Sequence, residues 1–338
     1  MDRERHDSNG DYMIISKTPL RISFCGGGSD IASFYRKHGG CVLSTSINKY
    51  IYISSVKSFN EDATLLKYST VEDVRDLSDI KHPVFRAMLS EFGMSGFEIN
   101  STSDIPAGTG LGSSSTFTVG LSNLLRTRAG EHPDKETLAK EACRIEIDVL
   151  GEPIGKQDQY AAAYGGLNFI EFNRDDTVDV SPIKMDASRK EELNRRLMML
   201  YLGGTRSASE ILRKQSSNIT SGSAESNQVK MCDLARDLRF ELEGGRLEST
   251  GEILDKSWRL KRTLSSGITN SAIDEIYESV TSMGATGGKL LGAGGNGFML
   301  FYADPSIQDE IRRKVPGRWM PFRFDDSGST IIYNDEGF

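Results

Sequence analysis

The residues with the clearest chemical potential are glycines and hydroxyls crowded into three loops. Residues 106–115, PAGTGLGSSS, hold three glycines and four hydroxyl residues directly before a run expected to be helical. Glycines let backbone N–H groups approach an anion closely, and a helix N-terminus adds partial positive charge. Ser113, Ser114 and Ser115 add hydroxyls for a phosphate or for Mg²⁺. The same residues also describe a serine-rich cap on an ordinary helix, so this loop alone decides nothing. A Walker A reading fails elsewhere, because Gly284-Ala-Thr-Gly-Gly288-Lys289-Leu290 has the wrong spacing and no hydroxyl after the lysine. The run Gly292-Ala-Gly294-Gly295-Asn296-Gly297 matches G-x-G-x-x-G. It precedes an apolar, strand-like run, whereas a dinucleotide loop follows a strand and opens a helix. The third loop, Gly26-Gly27-Gly28-Ser29-Asp30, reads as a tight turn whose Ser29 or Asp30 caps the next helix.

These loops need elements to position them. Alternation and β-rich composition predict strands at 13–16 and 20–24 on either side of Pro19, and at 50–56, 97–101, 165–172, 196–202, 296–302 and 329–333. Helical spacing predicts a helix over 113–129, stopped by Gly130. A second starts after Asp134, with Leu138, Ala142, Ile145 and Val149 on its apolar face, Glu146 and Asp148 pointing elsewhere, and Gly151 and Pro153 ending it. Further helices are expected over 229–242, 247–264 and 271–283, and 186–196 reads as a solvated helical face. The Ser-rich stretch 215–227 reads as a mobile loop. Strands and helices mix in the first half and helices dominate the second. The expected fold class is therefore α+β with two lobes dividing near 185–200.

Composition narrows the partners. The chain has 338 residues, 37% hydrophobic and 26% charged, with a net charge of −7 and no long single-sign run. Nucleic acid is not an expected partner, and no apolar run approaches the roughly 20 residues a membrane helix needs. The polar start MDRERHDSNGDY lacks the apolar core of a secretory signal, and residues 1–12 are expected to be a disordered or non-native extension. Four dispersed cysteines and four dispersed histidines argue against a zinc site or disulfide framework and fit a reducing cytoplasm.

Taken together and in order, the three loops resemble the signatures of the GHMP small-molecule kinases. Pro106-x-x-x-Gly110-Leu111-Gly112-Ser113-Ser114-Ser115 is similar to the central motif. Pro19-Leu20-Arg21-Ile22 with Gly26–Asp30 resembles the first, and 289–297 resembles the third. The resemblance spans about 13–335 and departs at Arg21, where many members carry lysine, and at Asn296, which interrupts a glycine run. It implies a two-lobed GHMP kinase fold with the active site in the inter-lobe cleft and a left-handed βαβ crossover. It implies an N-terminal ATP-binding part over 13–190 and a C-terminal part over 191–338. ATP and Mg²⁺ are the implied cofactors. Gly110, Leu111, Gly112 and Ser113–Ser115 would hold the triphosphate, and Ser114 with Glu146 the metal. Asp158 would take or orient the acceptor proton, and Arg21 would stabilise the transferring phosphoryl group. Gly27, Gly28, Asp30, Gly294 and Gly295 would face the substrate.

The phrase PLRISFCGGGSDI is most like the sugar kinases that phosphorylate heptose 7-phosphate at the anomeric position. The expected acceptor is D-glycero-D-manno-heptose 7-phosphate, giving the 1,7-bisphosphate for surface-polysaccharide precursors. Arg206 is the candidate for the acceptor's phosphate, because a guanidinium suits bidentate phosphate recognition. An L-fucose-type or other hexose 1-kinase is the rival enzyme reading, and a non-catalytic sugar-sensing relative the rival outside enzymology. From the residues alone, Glu146 also reads as a surface ion-pair carboxylate, Arg21 as a structural ion pair, Asp30 as a helix cap and Lys289 as a strand-end charge. The sequence sets no expectation for oligomeric state.

Overall fold

The computed structural model describes residues 12–60, 62–204 and 225–335. Arg206 and most of 215–227 lie outside the described residues. Eight strands form the first sheet, β1 (Ile14–Cys25), β2 (Gly40–Lys57), β3 (Thr64–Lys67), β4 (Val71–Val74), β5 (Phe97–Ser103), β6 (Leu167–Phe172), β7 (Val178–Pro182) and β12 (Thr330–Asn334). Their order is β12-β1-β2-β5-β3-β4, with β6 on β2 and β7 on β6. The long β2 pairs β1 on one side, while its two halves pair β6 and β5 on the other. The parallel pairing in this sheet joins β3 to β5.

The segments 13–16 and 20–24 are one strand. Pro19 cannot donate to a ladder, and the register slips between Pro19 and Leu20, so a bulge absorbs it. The second sheet, β11-β8-β10-β9, is antiparallel: β8 (Leu197–Tyr201), β9 (Gly287–Leu290), β10 (Phe298–Tyr302) and β11 (Arg318–Trp319). The expectation placed all of 191–338 in the second lobe, but β12 returns to pair with β1. The last strand therefore belongs to the first sheet. Tyr12, expected within a disordered extension, packs under the Arg128 guanidinium, which donates to its carbonyl at 3.0 Å.

Helices cover these sheets. In the first lobe they are α1 (Ala32–His38), α2 (Pro83–Phe92), α3 (Ser113–Arg128), α4 (Lys135–Cys143) and α5 (Gln157–Tyr164). Later come α6 (Ala187–Arg196), α7 (Glu225–Glu243), α8 (Ser249–Lys261), α9 (Ser271–Ser282) and α10 (Pro305–Lys314). α3 is buried on almost every side, with small and hydroxyl residues where it meets β1. Ser16 donates to the Gly120 carbonyl, and a Cβ at Gly120 would stand 2.8 Å from Thr18 Oγ1. This close approach fixes the helix that the serine turn opens. Among the described residues no helix is long and apolar enough to cross a membrane.

Candidate active site

β1 carries the first functional side chain. Side chains alternate along a strand, so Ile22 and Phe24 enter the core while Arg21 and Ser23 face a cleft of ≈ 400 Å³ between the two sheets. Arg21 is almost wholly buried. Its Nε and Nη2 donate to the two Asp158 carboxylate oxygens at 2.7 Å each, and Nη1 donates to the Gly110 carbonyl at 2.7 Å. One guanidinium thus joins β1, the glycine turn and α5. Asp158 lies in the first turn of α5, a short helix not among those expected from the sequence. The QDQYAAAY sequence gives no apolar stripe for helical spacing to reveal.

The turn before α3 is built by glycines with φ near +88° at Gly110 and +77° at Gly112. Gly112 is the helix N-cap residue, in the left-handed region that glycine enters without a Cβ penalty. A Cβ at Gly110 would stand 2.7 Å from the Leu291 carbonyl oxygen, so the central loop and the third loop touch backbone to backbone. Ser113, Ser114 and Ser115 follow at the first turn of α3 and all line the cleft. Leu111 does not. It is fully buried, and its carbonyl accepts the Arg21 backbone N–H at 3.1 Å.

Glu146 corrects the helical reading of its segment. Arg144–Val149 is a π-helical turn continuing α4. Its wider winding turns Ile145 and Glu146 inward together and leaves Val149 exposed, against the expected apolar face. Glu146 accepts from Ser114 Oγ at 3.2 Å and from Gln159 Nε2 at 2.7 Å. Burial pushes its carboxyl up to about 7, opposed by hydrogen bonds from Ser115, Gln159 and Ser114, while the nearby Asp158 charge adds to the rise.

Neither Ser29 nor Asp30 caps α1, whose N-cap is Ile31. Ser29 exchanges hydrogen bonds with the Cys41 backbone. Asp30 is buried, accepts from Gly28 N at 2.9 Å and Gln157 N at 3.1 Å, and so ties the first glycine loop to α5. Burial raises its pKa above the usual carboxylate range. Gly27, Gly28 and Gly294 also line the cleft. Gly295 does not, and its N–H is spent on the Ile268 carbonyl at 2.9 Å, away from a substrate.

Two buried lysines on the cleft wall went unrecognised in the sequence. Lys289 is no strand-end charge. It donates to the Ser23 and Phe24 carbonyls at 2.8 Å each, and burial pushes it down to about 8. Lys261, at the end of α8, donates to the Leu290 carbonyl at 2.9 Å and to the Gly292 carbonyl. Burial, with the charges of Lys289 and Arg21, holds it well below the ordinary lysine range. Lys289 reads from sequence as a strand-end charge and Lys261 belongs to no motif, and only the third dimension brings them to the glycine loops.

The chain matches the family of the GHMP kinases N terminal domain over residues 80–166 and that of the GHMP kinases C terminal over 238–320. It is 32% identical to the D-glycero-alpha-D-manno-heptose 7-phosphate kinase of Campylobacter jejuni, over 93% of this chain and 97% of that protein. It is 25% identical to the bifunctional fucokinase/GDP-fucose pyrophosphorylase of Arabidopsis thaliana, over 92% of this chain and 32% of that protein. A D-glycero-D-manno-heptose 1-phosphate kinase from Bacteroides thetaiotaomicron superposes with a TM-score of 0.78 at 26% identity, covering 95% of this chain and 99% of that one. With its three glycine loops gathered on one cleft and both family halves matched, the chain belongs to the GHMP kinases and is a sugar kinase of that family.

Proposed function

We propose that the protein transfers the γ-phosphoryl group of ATP to the anomeric hydroxyl of D-glycero-D-manno-heptose 7-phosphate, giving the 1,7-bisphosphate. The identity to the Campylobacter jejuni relative, extending over both chains almost entirely, supports this acceptor. The observation that carries the chemistry is the bidentate Arg21–Asp158 pair, held between the serine turn and Asp30.

In this reading the triphosphate lies on Gly110, Gly112 and Ser113–Ser115, at the positive end of α3. Ser114 and Glu146 offer two oxygen donors to the cleft, and this donor set fits Mg²⁺, which usually takes one or two protein oxygens beside phosphate oxygens. The bound metal neutralises charge on the phosphate oxygens. Each Asp158 oxygen accepts one bond from Arg21 and keeps lone-pair capacity for the acceptor hydroxyl. As the new O–P bond forms and the bond to the leaving ADP breaks, the hydroxyl proton passes to Asp158. Arg21 stabilises the transferring group. Asp30 orients sugar hydroxyls at the other end. Four dispersed free cysteines fit a reducing compartment, and we place the reaction in the cytoplasm.

ADP release with heptose 7-phosphate, followed by phosphorus NMR of the product, tests the assignment. The expected product keeps its C7 phosphate and gains a second phosphorus coupled to the anomeric proton. Turnover of L-fucose without turnover of the heptose phosphate would replace this acceptor with the one named for the Arabidopsis relative.

A further inference from the structure

Two polar atoms beside Gly27 lack partners among the described residues. Ser23 is 6% exposed, and its hydroxyl is buried without a hydrogen bond. The Gln157 side-chain carbonyl oxygen is likewise buried and unpaired. A buried polar group left unpaired costs free energy, so such atoms call for a ligand or another role. Both residues line the cleft. Ser23 stands two residues beyond Arg21 on the same face of β1, and Gln157 directly precedes Asp158.

Gly27 connects them. Gly26 and Gly28 need glycine for their backbones, with φ of +88° and +94°, but Gly27 does not share that left-handed conformation. A Cβ on Gly27 would meet nothing closer than 3.5 Å. Its nearest neighbours would be Ser23 Oγ at 3.5 Å and the Gln157 amide nitrogen and oxygen at 3.6 Å each. Neither strain nor collision therefore demands glycine here. What glycine preserves is an open gap facing the two unpaired atoms.

We infer that Ser23 and Gln157 bind a hydroxyl group of the carbohydrate acceptor, brought up against Gly27. The chemistry is directional. The Gln157 amide nitrogen points at an Asp30 oxygen at 3.4 Å, and a carboxylate beside it favours that orientation, leaving the amide oxygen as an acceptor. The Ser23 hydroxyl can donate or accept. A sugar hydroxyl does both, so it can donate to Gln157 while accepting from Ser23. A phosphate dianion has no proton for Gln157 and would meet the Asp30 carboxylate. The subsite therefore takes the hydroxylated part of the acceptor, and any phosphate on the sugar lies elsewhere. This inference rests on the proposed sugar-kinase chemistry and identifies residues that choose its acceptor.

Ser23→Ala, Gln157→Met and Gly27→Ala in the full-length chain test it, with steady-state kinetics in both substrates and thermal melts with and without acceptor. The expected result is a rise in acceptor KM of about five- to tenfold for each variant, the equivalent of one lost hydrogen bond, with ATP KM within about twofold of wild type. Ser23→Ala and Gly27→Ala should not lower the melting point of the ligand-free protein. The first removes an unpaired hydroxyl and the second fills open space. Unchanged acceptor KM in all three variants overturns the inference. So does a melting-point loss accompanied by equal losses in both KM values, the mark of a merely structural role. If wild type uses L-fucose instead of heptose 7-phosphate, the proposed acceptor fails while the subsite is read on L-fucose with the same expectations. If it uses neither, both fall together.

Discussion

Arg21 does at residue scale what no single motif announces. Its five donors sit in a fixed fork, and three of them are spent on Asp158 and the Gly110 carbonyl. Lysine, common at this position in the family, offers a single point charge and cannot bridge both carboxylate oxygens and the turn in that planar geometry. Arg21→Lys is therefore expected to lower kcat by about 10²-fold, the scale of losing one preorganised electrostatic contact, with ATP KM changed much less. Asp158→Asn keeps the shape but cannot accept the acceptor proton, and is expected to cost about 10²–10⁴-fold in kcat. It also leaves a nearly buried guanidinium without its counter-charge, costing about 1.5–3 kcal/mol of stability, which urea unfolding would register. Stopped-time ADP assays on both variants check the pair. Wild-type turnover from Asp158→Asn would remove the carboxylate from the mechanism.

At element scale the site is a contact between loops far apart along the chain. A Cβ on Gly110 would strike the Leu291 carbonyl, one on Gly292 would strike Gly110, and one on Gly297 would strike the Thr109 carbonyl. Gly297 also has φ +102°, which L side chains rarely adopt. Gly297→Ala is thus expected to lose at least about 1–2 kcal/mol of stability and to raise ATP KM, as the third loop is pushed away from Thr109 in the turn that precedes α3. A variant with wild-type melting point and ATP KM would show that the loops do not need this approach. The glycines themselves were legible because their order and spacing stand out. Element identity was less so. Leu138, Ala142, Ile145 and Val149 keep a helical spacing that turns Glu146 away from the apolar side, whereas the π-helical turn over Arg144–Val149 brings it inward. α2 was missed although Pro83 opens it and Gly93 ends it in a left-handed conformation, a pairing that sequence does carry.

At the scale of the whole molecule, the sequence showed three loops but not what locks the lobes over them, because the groups concerned are 266 residues apart. Lys289 stands on β9 of the second sheet and donates to two carbonyls of β1 in the first. Its ammonium pays a desolvation cost that burial expresses as a pKa pushed down to about 8, with Arg21 adding repulsion and Cys25 opposing it. The unfolded chain restores a lysine near ~10.4. Below about pH 8 both states hold the proton, and the cost to folding is constant and largest. Between about pH 8 and ~10.4 the folded state gives up the proton while the unfolded state retains it, so this group makes stability rise with pH. Lys289→Met removes the titrating group and keeps the aliphatic stem. It also strands the Ser23 and Phe24 carbonyls, a loss that does not depend on pH. Urea unfolding from pH 7 to 10.5 should give wild-type and variant curves that run parallel below about pH 8. Above it, wild type should gain on the variant by up to about 1.4 kcal/mol per pH unit. Parallel curves across the whole range would mean that the ammonium is not sealed between the lobes, and that the cleft over the glycine loops is held shut by other contacts.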